Sequence, residues 1–333
     1  MVNLVAAQKP LLHGLMKMAG LRPQMVEIEP GTTMSFWVPS ETIKKAKSQA
    51  QCENKVVVVE EEEEEKKKGK TSKKRKAKKP VVVLVHGFAA EGIVTWQFQV
   101  GSLTGKYAIY IPDLLFFGGS ISNRTERSPE FQTECLVKGL KKLGVDTCTV
   151  VGFSYGGMVG FKMAELHPDM VKYLVVSGTN PALSDSLSDE TMNRLGISSS
   201  SDLLLPTSIK GLKALLKVAM HKKLWFPDCL FKDYLEVMFN NRKERGELLE
   251  NLDNTKKNIT IPNLTQKVHL LWGEEDHIFN MEIAQSLKGQ LGDNATLQSI
   301  KKGGHLVHLE RPCVYNRLLK AILASLHTAT TQQ

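Results

Sequence analysis

Cys148-Thr-Val-Val-Gly-Phe-Ser154-Tyr-Gly-Gly157 is the stretch on which the reading of this 333-residue chain turns. Its first four residues are apolar or β-branched and predict a strand buried on both faces. Helical periodicity takes over at Met158 and runs to Leu166. Between them stands Gly-x-Ser-x-Gly, which alone is a weak pattern that arises by chance. Directly after a strand and directly before a helix, it predicts a tight, strained turn that lifts a serine hydroxyl above the sheet edge. The glycines flank the serine where a Cβ would clash.

Working outward, similar apolar runs predict strands at 81–85, 107–111, 173–176, 268–272 and 296–300, with a hairpin of 24–29 and 33–38 around Pro30-Gly31. Helical spacing predicts helices at 131–143, 283–291 and 314–326. Strands alternating with helices predict an α/β fold with a mostly parallel central sheet flanked by helices. Residues 1–40 supply an N-terminal helix and the hairpin; residues 80–178 and 268–333 form the core. Residues 179–267 show helices and no strand pattern, as an inserted helical cap would. There Leu212, Leu215, Leu216 and Ala219 form an apolar stripe, with Lys210, Lys213, Lys217 and Lys222 largely opposite. The bland reading packs this stripe over the pocket; the other lays its basic side weakly against a membrane surface.

The net charge of +9 invites a polyanion reading. Residues 41–79, however, hold 14 basic and 8 acidic residues, so this segment alone supplies +6. It runs through six glutamates, Glu60 to Glu65, into a basic block from Lys66 to Lys79. Such blocks stay solvated and disordered. Lys73-Lys-Arg-Lys76 also fits a nuclear-import or nucleic-acid reading. The segment contains no aromatic residue for base stacking, so no nucleic-acid partner is expected. It feeds into the start of strand 81–85, roughly 16 Å from the other end of that strand. With a Debye length of about 8 Å, the surplus charge steers nothing at the far edge.

No apolar run reaches membrane-spanning length. The first ten residues lack a basic n-region, Val2 rules out myristoylation, and no prenylation or peroxisomal signal closes the chain. Five cysteines without a C-x-x-C predict free thiols, and four N-x-Thr sequons are then chance matches. The expectation is a soluble cytoplasmic protein.

A serine hydroxyl is a weak nucleophile and needs a base oriented by a third group. Leu270-Leu-Trp-Gly-Glu-Glu-Asp276 puts a carboxylate just past a strand, and Gly303-Gly-His305 puts a histidine after another. Ser154, Asp276 and His305 come in the chain order of the strand–elbow–helix hydrolases. His308 competes for the base, Glu274 and Glu275 for the acid. His86 ends another strand and is read as shaping its loop. The His86-Gly87-Phe88 loop offers the Phe88 N–H, and Tyr155 N–H the second donor, of an oxyanion hole.

With His-Gly-Phe88, Pro112-Asp113-Leu-Leu, Gly-Phe-Ser154-Tyr-Gly-Gly, Trp-Gly-x-x-Asp276 and Gly-Gly-His305-x-x-His-Leu-Glu310-Arg-Pro312 in this order, the chain resembles the α/β-hydrolases. Among them it is most similar to plant soluble members described as monoacylglycerol-lipase-like. The resemblance covers residue 24 to the end, apart from the charged insert and, at the motif level, the cap. It implies Ser154 as nucleophile, His305 as base and Asp276 as its acid, with no cofactor and no metal. Where relatives often read D-x-x-G-x-G-x-S, this chain has Phe116 and Phe117, which would make a pocket entrance apolar or simply pack locally. A serine at 154 argues against the epoxide hydrolases and dehalogenases of the same fold. The expected activity is cleavage of a carboxylic ester, short-chain or monoacylglycerol-like. A carbon–carbon-bond hydrolase with the same triad and a ligand receptor with slow turnover remain as alternatives. The oligomeric state stays open.

Overall fold

Along the central strands, side chains alternate between two apolar cores, as a strand period of two requires of a sheet covered on both faces. The computed structural model describes residues 3–44, 78–181, 193, 196, 199–223, 225–255, 261 and 263–329. Residues 45–77 of the charged insert, with Lys73–Lys76, and residues 182–192 of the cap span lie outside the described residues; residues 41–44, expected to be disordered, continue β2 as a helical turn.

The strands are β1 (Leu21–Glu29), β2 (Thr32–Pro39), β3 (Val81–Val85), β4 (Ala108–Pro112) and the two-residue β5 (Ile121–Ser122). They continue as β6 (Cys148–Phe153), β7 (Val171–Ser177), β8 (Lys267–Gly273) and β9 (Ala295–Ile300). All belong to one sheet of order β1-β2-β4-β3-β6-β7-β8-β9, with β5 on β2. β1 and β2 pair antiparallel, β2 runs antiparallel to β4, and every ladder from β4 to β9 is parallel.

Val83, Val85, Val150, Leu174, Val176 and Leu270 point into one core with the helices Pro129–Lys142, Tyr155–Leu166 and Met281–Leu291. Val82, Leu84, Val151, Val175 and Leu271 point into the other, with Pro312–Ala329 and Leu4–Met18. Each such aliphatic side chain contributes about 2 kcal/mol when fully buried.

Helices begin earlier than their apolar periodicity because their first residues are caps. Ser128 Oγ accepts from Phe131 N–H at 3.1 Å with Pro129 in the first turn, and Asn280 accepts from Ile283 N–H at 3.1 Å. Between β7 and β8 the described residues form the helices Ser200–Leu204, Ile209–Ala219, Asp228–Met238 and Arg242–Thr255. Leu212, Leu215 and Ala219 are buried while Lys213 and Lys217 are exposed, so the apolar stripe faces the body. Among the described residues no helix is long and apolar enough to cross a membrane.

The sheet order also sets where a site can form. The chain leaves β3 for β4 on one side, then returns to β6 on the other side. The loops that follow β3 and β6 therefore diverge and open a crevice at the carboxyl ends of the strands.

Candidate active site

Ser154 occupies the first residue after β6, at that crevice. An ordinary capping serine such as Ser128 has φ −74° and bonds an amide of the first turn. Ser154 instead has φ 53° and ψ −121°, and its side chain makes no cap bond. For a residue with a Cβ this backbone costs about 1–3 kcal/mol. The turn around it is held by the Ser154 N–H donating to Ser177 O at 2.9 Å and by Gly157 N–H donating to Ser154 O at 2.8 Å. A Cβ at Gly152 would lie 2.6 Å from Gly156 O, and one at Gly156 would lie 2.3 Å from His86 O. No residue but glycine fits at either place.

The Asp276–His305 pair forms across two strand ends. Gly273, the last residue of β8, stands beside Ile300, the last of β9, so the loops that follow them run side by side. Glu275 N–H donates to Gly303 O at 2.9 Å and ties those loops together. His305 Nδ1 lies 2.9 Å from Asp276 Oδ2. The other oxygen, Oδ1, accepts from Ile278 and Phe279 N–H, both at 2.9 Å. Both residues are buried, and three donors fix the carboxylate in place. Glu274 turns away to the Ser299 hydroxyl at 2.7 Å, so the histidine meets Asp276.

His308 is fully buried among Trp96, Phe153 and Tyr315, with ring centroids 5.2, 4.4 and 5.9 Å away. Neither ring nitrogen has a partner among the described residues. Burial, reinforced by His305, lowers its pKa to about 3. It packs on the Phe153 ring, which also lies 4.9 Å from the His305 ring, and makes no hydrogen bond to Asp276. His86 shapes its loop: Nε2 accepts from Leu114 N–H at 2.9 Å and Nδ1 donates to Gly87 O at 2.6 Å. Burial lowers its pKa to about 4, consistent with the neutral ring those two bonds require.

The loop after β3 lies against the Ser154 turn, since a Cβ on Gly87 would come within 3.2 Å of Ser154 Cβ. Among the described residues, Phe88 N–H and Tyr155 N–H have no acceptor. Nor do the Ser154 hydroxyl and His305 Nε2 have a partner, so the serine–histidine contact is open in this conformation.

Phe116 and Phe117 are buried, 3% and 0% exposed, and form a wall rather than a solvent-facing rim. Phe117 meets Phe88 edge to face at 5.2 Å, and Phe116 has φ 73°. Arg245, in the helix Arg242–Thr255, covers this wall and is the residue the sequence reading missed. Its guanidinium donates to Phe116 O at 3.0 Å, Met238 O at 2.6 Å and Asn240 Oδ1 at 2.8 Å. Burial lowers its pKa to about 10, which leaves it charged at neutral pH. One signal could have found it: Arg245 shares a helix face with Leu248 and Leu249 at i+3 and i+4, a charge in an apolar register.

A family model described as alpha/beta hydrolase fold matches residues 80–198. The chain is 24% identical over 264 residues to epoxide hydrolase 4 of Mus musculus, covering 73% of each. To monoacylglycerol lipase ABHD6 of Bos taurus it is 24% identical over 268 residues, 75% of this chain and 77% of the relative. Among solved structures it resembles a membrane phospholipase A, a bacterial virulence factor, with TM-score 0.73 and 20% identity, covering 97% of this chain and 91% of that one.

Proposed function

We propose, from the premise that this chain belongs to the α/β-hydrolase superfamily, that it is a serine hydrolase cleaving a carboxylic ester with an apolar acyl group. The observation that carries the reading is the Asp276–His305 hydrogen bond, set on the sheet edge where Ser154 stands strained and uncapped.

Asp276 holds the proton on His305 Nδ1, which leaves Nε2 with a free lone pair. When substrate binds, Ser154 Oγ attacks the ester carbonyl carbon and Nε2 takes its proton. Contacts of this kind are often open without substrate and close in the Michaelis complex. The carbonyl oxygen becomes an oxyanion and accepts from Phe88 and Tyr155 N–H, two donors that have no acceptor among the described residues. One such donor contributes roughly 3–4 kcal/mol to transition-state stability. Collapse expels the alcohol, which takes the proton from Nε2. Nε2 then deprotonates a water, which attacks the acyl carbon and releases the carboxylic acid and Ser154.

The helices from 200 to 255 act as the cap. Tyr234 donates to Ala89 O at 3.4 Å, Arg245 to Phe116 O, and Ala219 O accepts from Leu306 N–H at 3.0 Å, so they touch the loops that follow β3, β4 and β9, the last of which carries His305. The rings of Phe88, Phe117, Tyr155 and Phe279 around the site favour an apolar acyl group. A relative named as a monoacylglycerol lipase supports the ester class. Ser154 stands against the epoxide opening named for others.

A panel of p-nitrophenyl esters from acetate to octanoate tests the reading on the wild type and Ser154→Ala. Saturable turnover that disappears in Ser154→Ala is expected. Unchanged turnover in that variant rejects it. No turnover, with thermal stabilisation by an ester analogue, favours a receptor on the same fold.

A further inference from the structure

We infer that Glu310 is a positioning residue for His305, clamping the histidine loop to the cap through two backbone hydrogen bonds. The inference rests on the serine-hydrolase reading above.

Glu310 is 7% exposed, and its carboxylate bridges two segments far apart in sequence. Oε2 accepts from Gly304 N–H at 2.7 Å, and Gly304 immediately precedes His305. Oε1 accepts from Lys222 N–H at 2.8 Å, in the connection that follows the helix Ile209–Ala219. A second strut lies on the other side of the histidine, where Leu306 N–H donates to Ala219 O at 3.0 Å. The two residues that flank His305 are thus both tied to one short stretch, 219–222. Gly304 fits against that stretch only without a side chain: a Cβ there would lie 2.6 Å from His221 N and 2.9 Å from Glu310 Oε2.

A carboxylate suits this place because it presents two acceptors at once, each forming a charge-assisted bond. Among the described residues no basic side chain pairs with it, and both its oxygens serve the backbone. The loop is anchored on its remaining side by Glu275 N–H to Gly303 O at 2.9 Å. His305 is therefore held between the Asp276 loop and the cap, and Glu310 is the side chain that spans the second gap. Proton transfer needs Nε2 within hydrogen-bond reach of Ser154 Oγ, and small displacements lower the rate steeply. Loosening the clamp acts on the chemical step and leaves the substrate pocket intact.

Glu310→Gln keeps the shape but offers only one acceptor oxygen, so its NH2 faces one of the two N–H groups. Steady-state kinetics on p-nitrophenyl butyrate should show kcat down about 10-fold, with KM within about twofold. The low-field proton NMR signal of the His305–Asp276 bond should broaden or shift in the same variant. Lys222→Pro deletes the cap-side donor alone and should lower kcat in the same direction. Ser154→Ala is run in parallel. If it abolishes turnover while Glu310→Gln and Lys222→Pro keep kcat, the clamp is refuted and the hydrolase reading stands. If Ser154→Ala leaves turnover unchanged, the hydrolase reading falls, and the His305 proton signal alone decides: unaltered in Glu310→Gln, it refutes the clamp as well. Should Glu310→Gln not fold, Lys222→Pro carries the same comparison.

Discussion

The guanidinium of Arg245 lies 4.1 Å from the centroid of the Phe117 ring, so a buried cation from the helix Arg242–Thr255 rests on the aromatic wall beside the proposed oxyanion loop. The Phe117 ring passes this contact to Phe88 at 5.2 Å and to His86 at 5.1 Å. The helix Arg242–Thr255 is therefore packed onto the body through Arg245. Arg245→Ala removes one of the two side-chain donors to Phe116 O, the other being Asn241 Nδ2, together with the guanidinium donors to Met238 O and Asn240 Oδ1. A loss of about 3 kcal/mol is expected, read as the shift of the urea unfolding midpoint at constant slope. Arg245→Lys recovers only part of it, because an ammonium cannot span three acceptors in a fork.

Strain at Ser154 gives a prediction of opposite sign for stability and activity. Glycine tolerates φ 53° and ψ −121° without penalty. Ser154→Gly should melt higher than the wild type, by an amount that matches about 1 kcal/mol, and should have no esterase turnover. A melting temperature below that of Ser154→Ala would show that the turn is not strained.

Asp276→Asn probes the histidine tautomer. The asparagine oxygen stays with Ile278 and Phe279 N–H, and its NH2 then faces His305 Nδ1. Nδ1 must become an acceptor, which moves the proton to Nε2 and removes the base. A kcat loss of about 10⁴-fold with the fold intact is expected from this rearrangement, measured in the same ester assay beside a circular dichroism spectrum.

Asp113 gives the stability a pH dependence. Burial, with Glu91 nearby, raises its pKa from 3.8 to about 7. The native state then holds a proton that the unfolded chain has lost, so its contribution declines as pH rises from 3.8 to about 7. Asp113→Asn keeps an acceptor for Gly92 N–H and has no proton to lose. Its melting temperature should fall less than the wild type's between pH 5 and 8; parallel curves reject the assignment.

His308 acts in the opposite direction. Its pKa is lowered from 6.5 to about 3, so the unfolded chain binds a proton that the native state refuses. Stability is lost as pH falls through that window. His308→Phe fits the ring cluster of Trp96, Phe153 and Tyr315 and should raise the melting temperature at pH 5 more than at pH 8.

What could be read before folding was what local chemistry repeats along the chain. The buried β-branched runs around Val83 and Val150 mark a two-sided sheet because a strand's period is two. Gly152 and Gly156 mark the turn because a Cβ fails at either place. The order Ser154, Asp276, His305 follows from which strand ends carry polar residues. The two-residue β5 escaped notice because its pairing with Thr32 and Thr33 leaves no local pattern. Periodicity starts at 131 and 283, two residues after the helices begin at 129 and 281, since the first turn and its cap carry no apolar period.

Tertiary structure alone decided which of several like residues meet. His305 and not His308 bonds Asp276, and the His308 ring is instead buried among Trp96, Phe153 and Tyr315. Phe116 and Phe117 became a buried wall because Arg245, more than a hundred residues later, closes over them. Glu310 joins Gly304 to Lys222 for the same reason. Hydrogen bonds between distant segments depend on how helices cross the sheet, and side-chain spacing along one segment holds no record of that.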